Sequence, residues 1–191
     1  MQYTDTIGRI ATDAWIVFAI VWAVSAIFAK RTAKRNRKRL SMFVMWLIFM
    51  TVVVILAHVT ENKGAILLLY IQNPAVRLIG AVLVILGIAL AFWARYHLGR
   101  NWGQPMSEKV DAELVTTGPY AHIRHPIYAG IFLSIIGSAL VFGVFWALIL
   151  TVYSGYFLYS IGREDEIMAR LFPQTYSMYR SRTKRLIPGI W

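Results

Sequence analysis

The sequence contains no cysteine, so disulfide bonds, thiolate nucleophiles and cysteine-based metal sites are excluded. Charge is also scarce, since only 15% of the 191 residues are charged, against about a quarter in an average soluble domain. Acidic residues are the rarest: nine Asp and Glu stand against 20 Lys and Arg, for a net charge of +11. Apolar residues are abundant, at 58%. This composition indicates a membrane protein, and we expect a single membrane domain over residues 1–191.

The excess of basic residues raises the question of a polyanionic partner. These residues lie between apolar runs without interleaved aromatics, so we expect contact with anionic lipids and no binding of nucleic acid. The loop KRTAKRNRKR, Lys30–Arg39, has seven basic residues in ten. Basic loops stay on the cytoplasmic side of a membrane, so this loop is predicted to be cytoplasmic.

Apolar runs of about 20 residues are long enough to cross a bilayer. Three runs have this length: Ala11–Ala29, Leu40–Thr60 and Ala75–Ala94. The apolar stretch Ile127–Ile161 is too long for one crossing, and Gly143 near its middle predicts a turn between two helices. The shorter run Ala65–Ile71 is predicted to be interfacial or re-entrant. The sequence thus predicts an all-α integral membrane protein with about five transmembrane helices, a helical hairpin at its C-terminal end and a cytosolic pocket.

Five crossings place the N-terminus outside and the C-terminus in the cytoplasm, with 17 of the 20 Lys and Arg inside. Residues 1–94 then hold the first three helices, and residues 95–191 hold the last two helices, the tail and the candidate site. We expect a multi-pass protein of the plasma membrane. Ionisable residues do not interrupt the centre of any predicted span, which argues against a transporter or channel.

Two polar segments, Arg95–Pro126 and Gly162–Trp191, are long enough to build a site. The first contains GPYAHIRHPIYAG, residues 118–130, in which Pro126 predicts the start of a helix. Arg124 and His125 directly precede this helix, and Tyr128 lies in its first turn. A helix N-terminus with adjacent cations attracts carboxylates and phosphates. The alternative is an interfacial belt of Tyr and Arg that only anchors the helix.

The second segment carries three consecutive acids, Glu164, Asp165 and Glu166. One interpretation pairs one carboxylate with Arg124 and leaves another to bind a cationic or hydroxyl-bearing ligand. The alternative is the acidic first turn of a helix over Ile167–Phe172.

The histidines do not form a metal-binding pattern. His122 and His125 are spaced to chelate, but the intervening Arg124 disfavours a dication, so no metal is expected. His58 is expected to play no part in the site, whereas His97 could reach it. The sequence also lacks a GxGxxG motif and a P-loop, which leaves a Rossmann-type nucleotide site without support.

The polar segments resemble the isoprenylcysteine carboxyl methyltransferase family, whose bacterial relatives include phospholipid N-methyltransferases. The matching words are LGRNW at 98–102, LVTTGPYAHIRHPIYAG at 114–130 and EDEIMARLFPQTYSMYRSRTKRLIP at 164–188. The resemblance implies a membrane enzyme that transfers a methyl group from S-adenosylmethionine to a lipophilic or lipid-modified acceptor. This sequence departs from the family's pattern at Asp165, where glutamate is usual, and at Pro173, where glycine commonly follows the phenylalanine.

The resemblance also implies roles for individual residues. Arg124 and Glu164 would be the catalytic arginine and acid. The cofactor pocket would be formed by Leu114, Tyr120, His125, Pro126, Tyr128, Glu164 and Asp165. The acceptor would lie near Arg95, Asn101 and Trp102.

Three activities are compatible with these segments. The first is methyl transfer to a carboxylate, such as that of an isoprenylcysteine, which is already ionised and needs only an arginine to orient it. The second is methylation of an aminophospholipid, which requires a base to take up a proton. The third is an NADPH-dependent membrane reductase of steroids or similar lipids, a group that this chain also resembles in its C-terminal helices.

Overall fold

The computed structural model describes residues 2–28, 71, 73–102 and 111–191. Within these ranges the protein is all helical apart from an isolated bridge between Ile123 and Lys184. The α-helices are α1 (Gln2–Ile27), α2 (Pro74–Leu98), α3 (Pro126–Phe142), α4 (Val144–Leu171) and α5 (Thr175–Arg182). Short 3-10 helices lie at Gly99–Asn101 and Gly118–Ala121. The predicted all-α class is confirmed for this part of the chain.

Both ends of α2 are fixed by local sequence signals. The side chain of Asn73 accepts hydrogen bonds from the backbone amides of Ala75 and Val76, at 2.9 and 3.4 Å. Pro74 occupies the first helical position, where its missing amide hydrogen costs nothing. The helix ends at Gly99, whose φ of 53° is readily adopted by glycine. α2 is therefore four residues longer at its C-terminal end than the predicted span Ala75–Ala94.

The predicted hairpin between the last two long helices is confirmed. Gly143 has a φ of 93°, which separates α3 from α4 because residues with a side chain rarely adopt this conformation. α4 then continues without a break to Leu171, so the three acids lie inside it. The interpretation of these acids as the first turn of a new helix is therefore wrong. α4 ends just before Pro173, which disfavours a helical conformation at Phe172.

Glycines allow α2 and α3 to pack with their backbones nearly in contact. A Cβ atom added at Gly87 would lie 2.4 Å from the carbonyl oxygen of Gly130, and one added at Gly80 would lie 2.7 Å from that of Gly137. Side chains at these positions would push the two helices apart. This close approach fixes the start of α3, and with it Arg124 and His125, relative to α2.

α1 packs against this helix pair through aromatic rings. Phe18 stacks on Phe92 of α2 with ring centroids 5.8 Å apart, and the indole nitrogen of Trp15 donates a 2.9 Å hydrogen bond to Ser138 of α3. The outer face of α1 leaves large apolar side chains exposed, such as Ile16 and Ile20. Such a face is suited to contact with lipid tails.

Two segments are long and apolar enough to cross a membrane: Thr6–Ile27, with a mean hydropathy of 2.0, and Pro74–Asn101, with 2.6. α3 is apolar but shorter. α1 begins nine residues before the predicted Ala11, because the polar N-terminal residues also adopt the helix. The predicted second span, the basic loop Lys30–Arg39, His58 and all but the last residue of Ala65–Ile71 lie outside the described residues.

Candidate active site

The segment that enters α3 is fixed by the chain's C-terminal tail. The backbone amide of Arg124 donates to the carbonyl of Lys184 at 2.7 Å, and that of His125 donates to Arg185 at 3.0 Å. In return, the amide of Lys184 donates to the carbonyl of His122 at 3.3 Å. The tail therefore holds the residues before Pro126 in place, and the side chains of Arg124 and His125 face α4.

Asp165 on α4 is the centre of a buried polar cluster. Its Oδ1 atom accepts hydrogen bonds from Arg124 Nε at 3.3 Å, from His125 Nε2 at 3.1 Å and from the hydroxyl of Tyr176. Its Oδ2 atom accepts from Arg185 Nε at 3.1 Å. The carboxylate joins the start of α3, helix α5 and the tail. Because these donors occupy it, Asp165 organises the cluster from its centre.

The protonation of Asp165 follows from these partners. Burial alone would raise the pKa of Asp165, but hydrogen bonds from His125 and Tyr176 and the positive charges of His125 and Arg124 outweigh it. Together they hold the pKa of this carboxyl well below its ordinary value. Burial, the hydrogen bond to Asp165 and the nearby negative charge raise the pKa of Tyr176, so Tyr176 remains a proton donor. Asp165 is therefore ionised at neutral pH.

Arg124 supports the cluster in a second way. Its Nη1 atom donates to the backbone carbonyl of Thr183 at 2.5 Å and lies 3.4 Å from that of Arg180. These carbonyls lie at the end of α5, where a cation is favoured by the helix dipole. Arg124 therefore pairs with Asp165 while capping α5. The predicted pairing of Arg124 with one of the three acids thus falls on Asp165, next to the implied partner Glu164.

Glu164 faces a different part of the site from its neighbour. Its Oε1 atom accepts a 2.6 Å hydrogen bond from the hydroxyl of Tyr128, and its Oε2 atom lies 3.6 Å from His125 Nδ1. The His125 ring stacks on that of Tyr128, with centroids 5.7 Å apart. The Glu164 side chain remains 25% exposed, compared with 5% for Asp165. Of the two acids, Glu164 is thus the one that a ligand can reach.

His125 bridges the two carboxylates. Burial would lower the pKa of His125, but hydrogen bonds to Asp165 and Glu164 and their negative charges outweigh it and raise that pKa. A protonated imidazole can donate from both nitrogens, one toward each acid. The positive charge of His125 favours the ionised form of Asp165.

Tyr120 lies between this cluster and the end of α2. Its ring is buried in the 3-10 helix, and its backbone carbonyl accepts a 2.8 Å hydrogen bond from the hydroxyl of Tyr179. Burial, Tyr179 and Glu164 raise the pKa of Tyr120, whereas the positive charge of Arg95 opposes this shift. Tyr120 is thus within electrostatic range of both Glu164 and Arg95. Leu114, in the segment before it, is only partly buried.

Three residues are implied to lie near the acceptor. They are grouped at the C-terminal end of α2. The guanidinium of Arg95 lies 4.8 Å from the ring centroid of Trp102, and it donates to Ser25 of α1 and to the carbonyl of Gly99. Arg95 is buried, yet these partners are neutral oxygens, so its positive charge can attract an anion. Asn101 forms hydrogen bonds of 3.2 and 3.3 Å with Glu113, one to its carboxylate and one from its backbone amide.

The remaining histidine near the site has a local role. His97 Nδ1 lies 3.3 Å from the hydroxyl of Thr117, and its ring packs against Gly118. A Cβ atom at Gly118 would lie 2.4 Å from this ring, and the φ of 60° at Gly118 also favours glycine. His97 therefore positions the turn that carries Tyr120. Among the residues that the structure describes, His, Asp and Glu side chains do not group in threes to hold a metal ion.

The two polar segments predicted to meet do so in the structure, but several residues that complete the cluster were not predicted. The tail and α5 residues that complete the cluster were not predicted as site residues: Tyr176, Tyr179, Thr183 and Arg185. They fall within the matching motif at 164–188, and that motif was the feature of the sequence that could have indicated them. Their contacts cross the break between α4 and α5, so no periodic spacing could assign them a partner.

The described residues define a class: a helical membrane protein in which an Arg, His, Tyr and acid cluster joins the ends of apolar helices. Residues 79–170 match the model of the isoprenylcysteine carboxyl methyltransferase (ICMT) family. The matched region contains Arg95, Arg124, His125, Tyr128 and both cluster acids. The resemblance to this family is thereby confirmed for residues 79–170.

Two curated proteins are similar to the chain over about the same length. A protein-S-isoprenylcysteine O-methyltransferase of Schizosaccharomyces pombe is 30% identical over 109 residues, covering 55% of this chain and 46% of the relative. The nickel-cobalt-cadmium resistance protein NccN of Alcaligenes xylosoxydans xylosoxydans is 33% identical over 108 residues, covering 55% and 48%. The chain therefore spans about half the length of the curated relatives that it matches.

Proposed function

We propose that the protein is an integral membrane methyltransferase that transfers a methyl group from S-adenosylmethionine to a lipophilic acceptor, a carboxylate of an isoprenylcysteine-like or other lipid. The observation that carries this proposal is the meeting of Glu164, His125 and Tyr128 above the buried Arg124–Asp165 pair, within the region that matches the family. The site lies at the ends of apolar helices. A water-soluble donor and a membrane-soluble acceptor can both reach such a place.

The chemistry of the site fits the proposed cofactor. S-adenosylmethionine presents hydroxyl and ammonium donors, and a partly exposed carboxylate such as Glu164 can accept from them. When bound, it supplies a methyl group activated by a positive sulfonium. We assign the walls of the pocket to Leu114, Tyr120, His125, Pro126, Tyr128 and Glu164. Asp165 acts on the pocket through His125, since its own oxygens are occupied.

The buried charge of Arg95 favours a carboxylate over an amine as the acceptor. Its described hydrogen-bond partners are the neutral oxygens of Ser25 and Gly99, so an anionic head group would compensate the buried cation. A carboxylate needs no base to expose its lone pair, and orientation in a dry site can remove much of the barrier. We propose that Arg95, Asn101 and Trp102 orient the acceptor. The multi-pass topology with a cytoplasmic site, and the plasma membrane location, remain predictions.

The first test is calorimetric titration of the detergent-purified protein with S-adenosylmethionine and S-adenosylhomocysteine. We expect saturable binding that is lost or weakened at least tenfold in Glu164→Gln, because an interaction with a charged group is replaced by a neutral one. Glu166→Gln is the matched control, since Glu166 is exposed and pairs with Arg163 at 2.7 Å. Equal binding by all three proteins would remove Glu164 from the cofactor site. No binding by the folded wild-type protein would contradict the proposed function.

A further inference from the structure

Two neighbouring buried hydroxyl groups on α4 lack a hydrogen-bond partner elsewhere among the residues that the structure describes. Within the described part of the chain, Tyr156 Oη and Ser160 Oγ are buried and lie near each other, and neither has a hydrogen-bond partner outside this pair. The Ser160 side chain is completely buried. A buried hydroxyl that loses water without gaining a partner destabilises the folded state by about 1 to 3 kcal/mol. Such a group therefore calls for an explanation.

The usual local solution is not taken by Ser160. A serine or threonine in a helix can donate to the carbonyl four residues earlier. Other hydroxyls of α3 and α4 do so: Ser134, Ser138, Thr151 and Ser154, at 3.0, 2.8, 3.0 and 2.7 Å. Ser160 also lies in α4, but its hydroxyl forms no such bond. A group from outside α4 could therefore supply the missing partner.

Tyr156 and Ser160 lie on the same face of α4 as Glu164. The three residues are spaced by four, so they follow one another along the helix surface. Tyr156 lies near Ser160 and within electrostatic range of Glu164, and its ring packs beside Phe157 and Tyr128. Relative to Glu164, the two hydroxyls are displaced by one and two turns toward the apolar part of α4. They thus lie between the apolar part of α4 and the polar cluster.

We propose that Tyr156 and Ser160 form a subsite that donates hydrogen bonds to an oxygen of the acceptor's head group, a carbonyl or carboxylate attached to an apolar chain. This inference rests on the proposed function and extends it to residues that no comparison assigns. Two hydroxyl donors suit an oxygen acceptor, and the adjoining rings of Phe157 and Tyr128 suit an apolar chain. The same chemistry is present in the carboxylate of the methyl donor, so the experiment must separate the two sources.

The kinetic test uses Tyr156→Phe and Ser160→Ala, which remove one hydroxyl each. Rates are measured with methyl-labelled S-adenosylmethionine and N-acetyl-S-farnesylcysteine. We expect the KM for the farnesylated probe to rise about tenfold, as for the loss of one hydrogen bond, while the KM for S-adenosylmethionine stays unchanged. Ser154→Ala, which removes a hydroxyl bonded within its own helix, should leave both values unchanged. A rise only in the KM for S-adenosylmethionine would assign the hydroxyls to the donor and overturn the proposal.

A second measurement does not depend on activity. Without ligands, Ser160→Ala should leave the Tm nearly unchanged, because the hydroxyl has no described partner besides the neighbouring Tyr156. Ser138→Ala should lower it, because Ser138 accepts from Trp15 and donates to Ser134. A Tm that falls as far in Ser160→Ala as in Ser138→Ala would show that Ser160 is bonded within the protein, and would contradict the subsite.

If the wild-type protein transfers no methyl group to the farnesylated probe, the proposed methylation of this acceptor class is contradicted. The subsite is then judged by binding of the same probe, followed by quenching of tryptophan fluorescence. Weaker binding in Tyr156→Phe and Ser160→Ala than in wild type and Ser154→Ala would support it. Equal affinity in all four proteins would contradict it.

Discussion

Two adjacent acids on α4 perform different tasks. Successive residues of an α-helix point about 100° apart, so Glu164 and Asp165 face different neighbours. Asp165 meets Arg124, His125 and Arg185, whereas Glu164 meets Tyr128 and the other side of His125. The resemblance implies a glutamate at this position, and Asp165 is shorter than glutamate by one methylene. The contacts are nevertheless made, because the tail and α5 approach closely.

This division predicts a strong effect of Asp165→Asn on stability. The substitution keeps the shape of the side chain but leaves the buried charges of Arg124 and His125 without their carboxylate. Breaking a buried ion pair in this way costs about 3 to 5 kcal/mol. We expect a large fall in the free energy of unfolding, measured by denaturant titration in detergent. Glu166→Gln should change it by less than about 0.5 kcal/mol, because exposed pairs contribute little. A similar loss in both variants would contradict the role of Asp165.

The same cluster predicts how stability depends on pH. The pKa of Asp165 is lowered by folding, so its contribution is complete above the unfolded value of about 3.9 and is lost as pH falls below it. The pKa of His125 is raised, so its contribution is complete below about 6.5 and is lost as pH rises through the folded value. We expect the Tm to be highest between about pH 4 and 6.5. His125→Gln should remove the decline on the alkaline side, and an unchanged decline would exclude His125 as its cause.

At the scale of elements, the contact between α2 and α3 sets the position of the site. The helices approach so closely that Gly87 touches the backbone of α3: an added Cβ would lie 2.3 Å from Ser134 Oγ and 2.4 Å from the carbonyl of Gly130. Backbone atoms cannot move aside as a flexible side chain can. A shift of α3 would also displace Arg124 and His125, which directly precede it.

We therefore expect Gly87→Ala to lower both stability and cofactor binding. Overpacking of this kind costs about 1 to 3 kcal/mol. Gly155→Ala on α4 is the control, because a Cβ at that position has no atom within 4 Å. It should be neutral or slightly stabilising, since alanine favours helices over glycine. Thermal unfolding and calorimetric titration of both variants provide the measurement, and equal Tm values would contradict the close contact.

At the scale of the whole molecule, the C-terminal tail connects elements that are distant in sequence. It pairs with the segment before α3, places Arg185 on Asp165, and folds back so that the carbonyl of Trp191 accepts from the amides of Leu186 and Ile187. Arg185 also lies 5.5 Å from the ring centroid of Trp191. The site is therefore complete only when the tail is in place.

Removal of residues 183–191 should thus abolish binding of S-adenosylhomocysteine, even though the residues assigned to the pocket remain. The deletion removes the partners of the Arg124 and His125 amides and the Arg185 contact with Asp165. Arg185→Ala should give a smaller loss, because the backbone pairing persists. Ile190→Ala, at an exposed position, should bind as the wild type does. Full binding by the truncated protein would show that the tail does not organise the site.

The amino-acid sequence by itself determined the features that depend on local chemistry. Apolar runs gave α1 and α2, Gly143 gave the hairpin, and Pro126 gave the start of α3 beside Arg124 and His125. Each follows from hydrophobicity, a backbone preference or a missing amide hydrogen. These properties depend only on a residue and its neighbours in the sequence.

The tertiary structure alone decided which side chains meet. The pairing of Arg124 with Asp165, 41 residues apart, depends on the rotation of α4. The attachment of Arg95 to Ser25, 70 residues away, and the isolation of Ser160 depend on how the helices pack. A change of one residue in helix register turns a side chain by about 100°, so sequence spacing cannot fix such contacts.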